Sequence, residues 1–373
     1  MAHYEPDMAW VEKTWAKVEQ KMAKVAPAVS TPFPYTTENG IYTNGGHNSS
    51  WWTNGFWAGM MWLMYHQTKD DTYRKIAENC EEKLDETFLN FNGLHHDVGF
   101  MWLLSAVANY RLTGNETSKT RGLHAATLLC GRFNAQAKFI RAWNDDKVGW
   151  GIIDCMMNIP LLYWASDTIG DPRFRYAAMT HADTAMTAFV RPDGSSNHIV
   201  SFDPITGEIL ETPGGQGYES GSSWSRGQSW ALYGFTLSYI HTGKQEYLDT
   251  AKKVAHYFIA NLDDTYVPAV DFRSPAGDDM KDASAGCIAA CGLIELSKLV
   301  PEFEKALYLR AAMNILKGID QHCCNYEDSE QSIVQKGTEA YFNKTGVHIP
   351  IIYSDYYFME ALLKLKGNEV LFW

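Results

Sequence analysis

Two aspartates stand where a simple structural role explains them poorly. Asp97 follows directly on His95 and His96, and Asp154 lies within the apolar run Gly151-Ile152-Ile153-Asp154-Cys155-Met156-Met157. An aspartate at a helix start ordinarily caps free N–H groups and complements the helix dipole, which is worth roughly 0.5–2 kcal/mol. Asp282 and Asp355 are assigned to that ordinary use. A carboxylate facing inward from an apolar run costs several kcal/mol unless it is paired, protonated or used. Two carboxylates brought together separate in pKa, so that one keeps its proton at neutral pH while the other ionises. Such a pair is equipped for general acid–base work on a sugar.

The other candidates are binding residues. The chain holds 13 Trp, and indole faces stack on the apolar faces of pyranose rings. Trp62, Trp102 and Trp164 fall inside apolar helical runs and are expected in the core. Trp52, Trp143, Trp224 and Trp230 lie near helix starts and are the sugar-binding candidates. Arg226 suits bidentate capture of a carboxylate, or equally a salt bridge to one of the chain's own acids. His198 and Gln216 lie in an irregular stretch and could hydrogen-bond hydroxyl groups.

These residues are positioned by an irregular repeat. Each copy opens with a helix-length segment that is apolar nearly all round, turns at Gly or Asp, and continues into an amphipathic segment. The first members begin near Asn54-Gly55-Phe56-Trp57, Val98-Gly99-Phe100, Trp150-Gly151-Ile152, Arg226-Gly227-Gln228, Ala283-Ser284-Ala285 and Ser354-Asp355-Tyr356. The turns are Thr68-Lys69-Asp70, Thr113-Gly114-Asn115, Gly170-Asp171-Pro172, Thr242-Gly243-Lys244 and Val300-Pro301. An all-round apolar helix followed by one with a wet face predicts an inner and an outer ring. The last inner helix has no outer partner after it. The N-terminal stripe Val11, Trp15, Val18, Met22 and Val25 supplies one, closing an all-α (α/α)6 barrel expected to form one domain over residues 1–373. Parallel inner helices share one mouth, so the polar residues at their N-termini converge there. Residues 28–50 and 191–223 break the pattern; the second contains a predicted β-hairpin, 198–202 with 208–211.

Trp52-Thr53-Asn54-Gly55-Phe56-Trp57, Leu94-His95-His96-Asp97-Val98-Gly99-Phe100, Ile152-Ile153-Asp154-Cys155 and Ser223-Trp224-Ser225-Arg226-Gly227-Gln228-Ser229-Trp230 resemble the unsaturated glucuronyl hydrolases, in the same order over nearly the whole chain. The resemblance implies the same barrel and an enzyme that removes a terminal 4,5-unsaturated uronic acid from oligosaccharides left by polysaccharide lyases, without cofactor or metal. It implies Asp154 as the catalytic acid/base and Asp97 as the second catalytic aspartate. Trp52, His96, Trp143, His198, Gln216, Arg226 and Trp230 match positions that line the sugar site. Residues 327–353, with Lys336 and Lys344, are expected to form a loop over the mouth. Three rivals stay open: an unsaturated rhamnogalacturonyl hydrolase with the same chemistry, a sugar epimerase or isomerase that would rely on histidines, and a non-catalytic carbohydrate-binding barrel.

The bulk numbers set limits on partners. A net charge of −12 with no basic run argues against nucleic acid and anionic membranes. The seven cysteines lack a disulfide or zinc spacing, and no signal peptide is recognisable at the N-terminus. The expectation is a cytoplasmic enzyme, a monomer or weak homo-oligomer, acting on an unsaturated uronic-acid oligosaccharide.

Overall fold

The computed structural model describes residues 4–368 and 370–373. Its helices are α1 (Met8–Val25), α2 (Phe56–Thr68), α3 (Asp71–Leu84), α4 (Val98–Trp102), α5 (Ala108–Thr113), α6 (Glu116–Cys130), α7 (Pro160–Ile169), α8 (Pro172–Ala188), α9 (Ser225–Thr242), α10 (Gln245–Ala260), α11 (Ala283–Leu299), α12 (Glu302–Cys323) and α13 (Ile352–Lys366). Short strands β1 (Thr36–Glu38), β2 (Ile41–Thr43), β3 (Phe133–Asn134), β4 (Phe139–Ile140), β5 (Trp150–Ile152), β6 (Ile199–Phe202) and β7 (Ile209–Glu211) sit between them.

The fold is an (α/α)6 barrel. Among the described residues, α2, the α4–α5 pair, α7, α9, α11 and α13 form the inner ring. The helices α3, α6, α8, α10, α12 and α1 surround it. The inner ring closes because α13 packs on both α11 and α2, and α1 covers α13. Inner helices are buried almost all round: all but four of the residues of α9 and all but two of those of α11 are buried. Outer helices bury one stripe, such as Tyr73, Ala77, Cys80 and Leu84 of α3. Val11, Trp15, Val18, Met22 and Val25 are all buried, as the N-terminal stripe required.

Most inner helices stop with the expected chemistry, although α2 stops at Lys69 and α13 has no outer helix after it. The inner helices α2, α5, α7, α9 and α13 stop at a left-handed residue, Lys69, Gly114, Gly170, Gly243 and Gly367 respectively. Glycine adopts that conformation without a Cβ penalty. The α11 helix instead ends at extended Val300 before Pro301. Side chains of Asp70, Asn115 and Asp171 then accept from backbone N–H groups to start α3, α6 and α8.

Four local features differ from the sequence expectation. Trp150–Ile152, read as the opening of the third inner helix, forms strand β5, so that this helix begins only at Pro160. The second inner element is not one α-helix, because a π-helical stretch, Leu103–Val107, separates α4 from α5. Residues 28–50 contain the hairpin β1–β2, turned at Asn39 and Gly40 with φ of 52° and 79°. Asp355 is no cap. It lies buried in the first turn of α13 and accepts from the backbone N–H groups of Ile333 and Val334, at 2.9 and 2.7 Å, and from the Tyr42 hydroxyl. It thereby pins residues 327–353 and the β1–β2 hairpin to the barrel. Asp282 does cap α11, accepting from the Ser284 N–H at 3.1 Å, but it also pairs with Arg226.

Candidate active site

Asp154 belongs to neither an α-helix nor a loop. The expected hairpin forms, β6 with β7, and β5 adds to its other edge, Ile152 opposite Ile199. The Ile153 N–H continues that ladder to the His198 carbonyl at 3.0 Å. The chain then makes a 3-10 turn, Ile153–Met157, that presents Asp154 to the barrel mouth before α7 begins. The β5–β6 pairing therefore sets Asp154 beside His198, whose Nε2 lies 3.7 Å from Asp154 Oδ1. The Gln216 N–H donates to His198 Nδ1 at 3.0 Å, so the ring proton sits on Nε2 and faces the carboxyl. Among the described residues, neither Nε2 nor Asp154 Oδ1 has a hydrogen-bond partner. Two buried polar atoms without partners in one space can hydrogen-bond a bound group.

Asp97 sits at the start of α4. Its Oδ2 lies 3.2 Å from His95 Nδ1 and 3.4 Å from His96 Nε2. Asn158 joins it to Asp154: its Nδ2 donates to Asp97 Oδ1 at 3.0 Å and to the Asp154 carbonyl at 3.2 Å. The Phe100 N–H fixes that amide by donating to Asn158 Oδ1 at 2.8 Å. The approach requires Gly99, where a Cβ would stand 2.4 Å from the Asn158 Cα.

The electrostatics divide the two carboxyls. Burial and the Asp97 charge push Asp154 up to about 8, against a smaller downward pull from Arg226. Burial also pushes Asp97 upward, but His96, His95 and the Asn158 amide outweigh it and hold the carboxyl below its ordinary value. Burial lowers His96 to about 4 and His198 to about 3, so both rings are neutral near pH 7. One aspartate thus keeps its proton at neutral pH while its neighbour is ionised. The donor atoms of His95, His96 and Asp97 lie within 4.8 Å of one another, a spacing that could hold a metal ion.

A cavity of about 420 Å³ gathers Trp52, His96, Asp97, Trp143, Asp154, His198, Gln216, Trp224 and Arg226. Trp230 is not among them. It is one helical turn beyond Arg226 on α9 and lies fully buried beneath the cavity, against Phe100 and Tyr357. Arg226 realises the salt-bridge reading: it pairs with Asp282 at 2.7 Å and donates to the carbonyls of Thr338 and Glu339. Its guanidinium still edges the cavity, 4.5 Å over the Trp224 ring. Gln216 holds the wall as much as the floor, because its Nε2 donates to the Glu339 carbonyl at 2.6 Å.

Residues 327–353 do reach the mouth, through Glu339, Ala340, Asn343 and Tyr353. Lys336 and Lys344 are exposed and line no part of the cavity. The opposite rim is Tyr35, His47 and Trp51, with His47 stacked on Trp51 at 3.8 Å and Tyr35 bonded to Glu339. Sequence reasoning missed Tyr35, His47, Glu339, Asn343 and Asn158. The Asn39-Gly40 dipeptide, a strong hairpin signal, could have placed Tyr35 near the mouth.

A model of glycosyl hydrolase family 88 matches residues 25–360. The chain belongs to that family. It is similar to the unsaturated glucuronyl hydrolase of Bacillus sp. strain GL1, 35% identical over 333 residues that cover 86% of this chain and 88% of that protein. It is also similar to the unsaturated chondroitin disaccharide hydrolase of Streptococcus pneumoniae strain ATCC BAA-255 / R6, 34% identical over 86% of this chain and 83% of that protein. A mutant of unsaturated glucuronyl hydrolase from Streptococcus agalactiae, solved in complex with dGlcA-GalNAc6S, superposes with a TM-score of 0.82 at 31% identity, over 97% of this chain and 93% of that one. The family 88 chain is thus an enzyme, a glycosidase with a helical barrel.

Proposed function

We propose that the chain removes a terminal 4,5-unsaturated glucuronic acid from lyase-generated glycosaminoglycan-type oligosaccharides by hydrating the C4=C5 bond. One observation carries the chemistry: Asp154 is held protonated up to about pH 8 beside an ionised Asp97. The substrate's C4=C5 bond is a vinyl ether conjugated to the ring oxygen. Asp154 gives its proton to C4, leaving an oxocarbenium centre at C5. The Asp154 carboxylate then takes a proton from a water as that water's oxygen bonds to C5. The resulting hemiketal opens, the C5–O bond to the ring oxygen breaks, and the freed C1 hemiacetal expels the aglycone. No nucleophile attacks the anomeric carbon, so the carboxylate-separation rules for retaining and inverting glycosidases do not apply.

The surrounding residues have separate parts in this proposal. Asp97 keeps the Asp154 pKa high and adds negative potential beside the cationic centre. The His198 Nε2–H supplies a donor where neither the carboxyl nor the ring is otherwise paired. Trp52, Trp143 and Trp224 offer faces to the sugar, and the Arg226 charge favours the uronate. Trp230 supports the floor without touching substrate. An epimerase relying on His96 or His198 is disfavoured, because burial leaves both rings poor proton carriers near neutrality.

The substrate arm of the proposal is tested by turnover. Unsaturated chondroitin and hyaluronan disaccharides should be consumed faster than pectin-derived unsaturated rhamnogalacturonides. The reverse order would favour the rhamnogalacturonyl reading. We further propose a single catalytic domain, monomeric or weakly self-associating, working in the cytoplasm. The seven cysteines are free, and five of them are buried, which suits a reducing compartment.

A further inference from the structure

A second cleft, of about 400 Å³, lies beside the catalytic cavity, and His95 lines both. Trp143 faces the first, while its chain neighbour Asn144 faces the second. The apolar rim of the second cleft is Phe91 and Leu89, which are 79% and 95% exposed. This stretch is nevertheless anchored. Phe88 stacks on Trp102 at 4.7 Å, and the Asn144 amide donates to the Phe91, Asn92 and Leu94 carbonyls.

The polar wall is a pair of guanidiniums, Arg132 and Arg141. Arg132 donates to the Arg141 and Ala142 carbonyls and to Asn144 Oδ1, at 2.9–3.0 Å. Arg141 donates to the Asp145 carbonyl at 2.8 Å, and its Nε is buried without a partner. All these acceptors are neutral. Among the described residues no carboxylate pairs with either arginine, in a chain that carries 44 Asp and Glu against 32 Lys and Arg. Burial and the neighbouring Arg141 charge bring Arg132 down to about 10. Asp97 offsets part of the Arg132 charge through space, while Arg141, hydrogen-bonded to a neutral carbonyl, keeps a charge that a bound anion can pair. An exposed aromatic face on the rim fits the apolar face of a sugar ring.

We propose that this cleft is a distal subsite for the anionic repeat that follows the cleaved residue in a longer uronate oligosaccharide. Arg141 pairs the sugar's carboxylate or sulfate, and Phe91 packs on a ring face. The inference rests on the proposed hydrolase activity and extends it from disaccharides to tetrasaccharides. The test compares kcat/KM on unsaturated di- and tetrasaccharides of hyaluronan and of chondroitin 6-sulfate, for the wild-type chain, Arg141→Gln and Phe91→Ser. The wild type should favour the tetrasaccharide, less so as salt is added. Each substitution should lower the tetrasaccharide-to-disaccharide ratio by about fivefold. A drop with hyaluronan assigns the carboxylate, and one confined to the sulfated substrate assigns the sulfate. An unchanged ratio in both variants, or no tetrasaccharide preference in the wild type, overturns the proposal. Phe91→Ser, at an exposed position, decides the matter if Arg141→Gln does not fold. A wild-type chain inert towards every substrate would contradict the hydrolase activity instead. Tetrasaccharide affinity by calorimetry would then decide the cleft, and equal values for wild type and Arg141→Gln would overturn it.

Discussion

At the scale of single residues, the division of labour between Asp154 and Asp97 depends on an amide that neither motif contains. Asn158 donates to one carboxylate, to the backbone of the other, and is itself fixed by Phe100. Removing it takes a donor from ionised Asp97, which raises the Asp97 pKa. Asn158→Ala should therefore move the acid limb of kcat/KM to higher pH and lower kcat about 10–100-fold. The alkaline limb should stay near pH 8, where Asp154 ionises. An acid limb that stays in place would show that Asn158 acts only in packing. The aspartates were legible in the sequence because a carboxyl in an apolar run has few harmless explanations. Asn158 was not, since an amide just ahead of Ile159-Pro160 is ordinary turn chemistry. Trp230 misled for a geometric reason. It shares a helix face with Arg226, but one turn deeper, where the barrel is already filled.

At the scale of elements, the mouth is built by segments that sequence periodicity does not reach. The wall of residues 327–351 has no regular helix, and its shape is held by contacts far away in the chain. Gln331 bonds to Gly40, Tyr341 to Gln216, and residues 332–334 to Asp355. Asp355→Ala leaves two buried N–H groups without an acceptor and should cost about 2–4 kcal/mol, measurable by urea unfolding. Because Glu339 and Asn343 sit on the loosened wall, KM should rise more than kcat falls. An unchanged KM would mean that the wall does not shape the site. The inner and outer helices were legible because each carries its own period and stop signal. The β5–β6 pairing was not, because β5 is three residues long and its partner follows a whole helical hairpin later.

At the scale of the whole molecule, the ring forms only when α1 and α13 meet, so the proposed single domain should unfold in one transition that includes both termini. The proposed catalytic pair should also mark its stability. Asp154 binds its proton more tightly folded than unfolded, so the native state holds more protons between about pH 4 and 8. Stability from this group is complete below its unfolded pKa and is lost as pH rises through 8. Asp154→Asn removes that loss, and should stabilise the protein by about 2–4 kcal/mol at pH 8.5 while changing little at pH 4. Thermal or urea unfolding at the two pH values checks it. A variant less stable at pH 8.5 would contradict an uncomfortable, protonated Asp154.

The central claim is that Asp154 protonates C4 and so starts a hydration. It is tested by following the ultraviolet band of the conjugated C4=C5 bond during reaction with an unsaturated chondroitin disaccharide. With the wild-type chain the band should decay as the aglycone is released. With Asp154→Asn both should slow by about a thousandfold or more. Release of the aglycone with the band intact, or an Asp154→Asn variant of near-normal rate, would contradict the account.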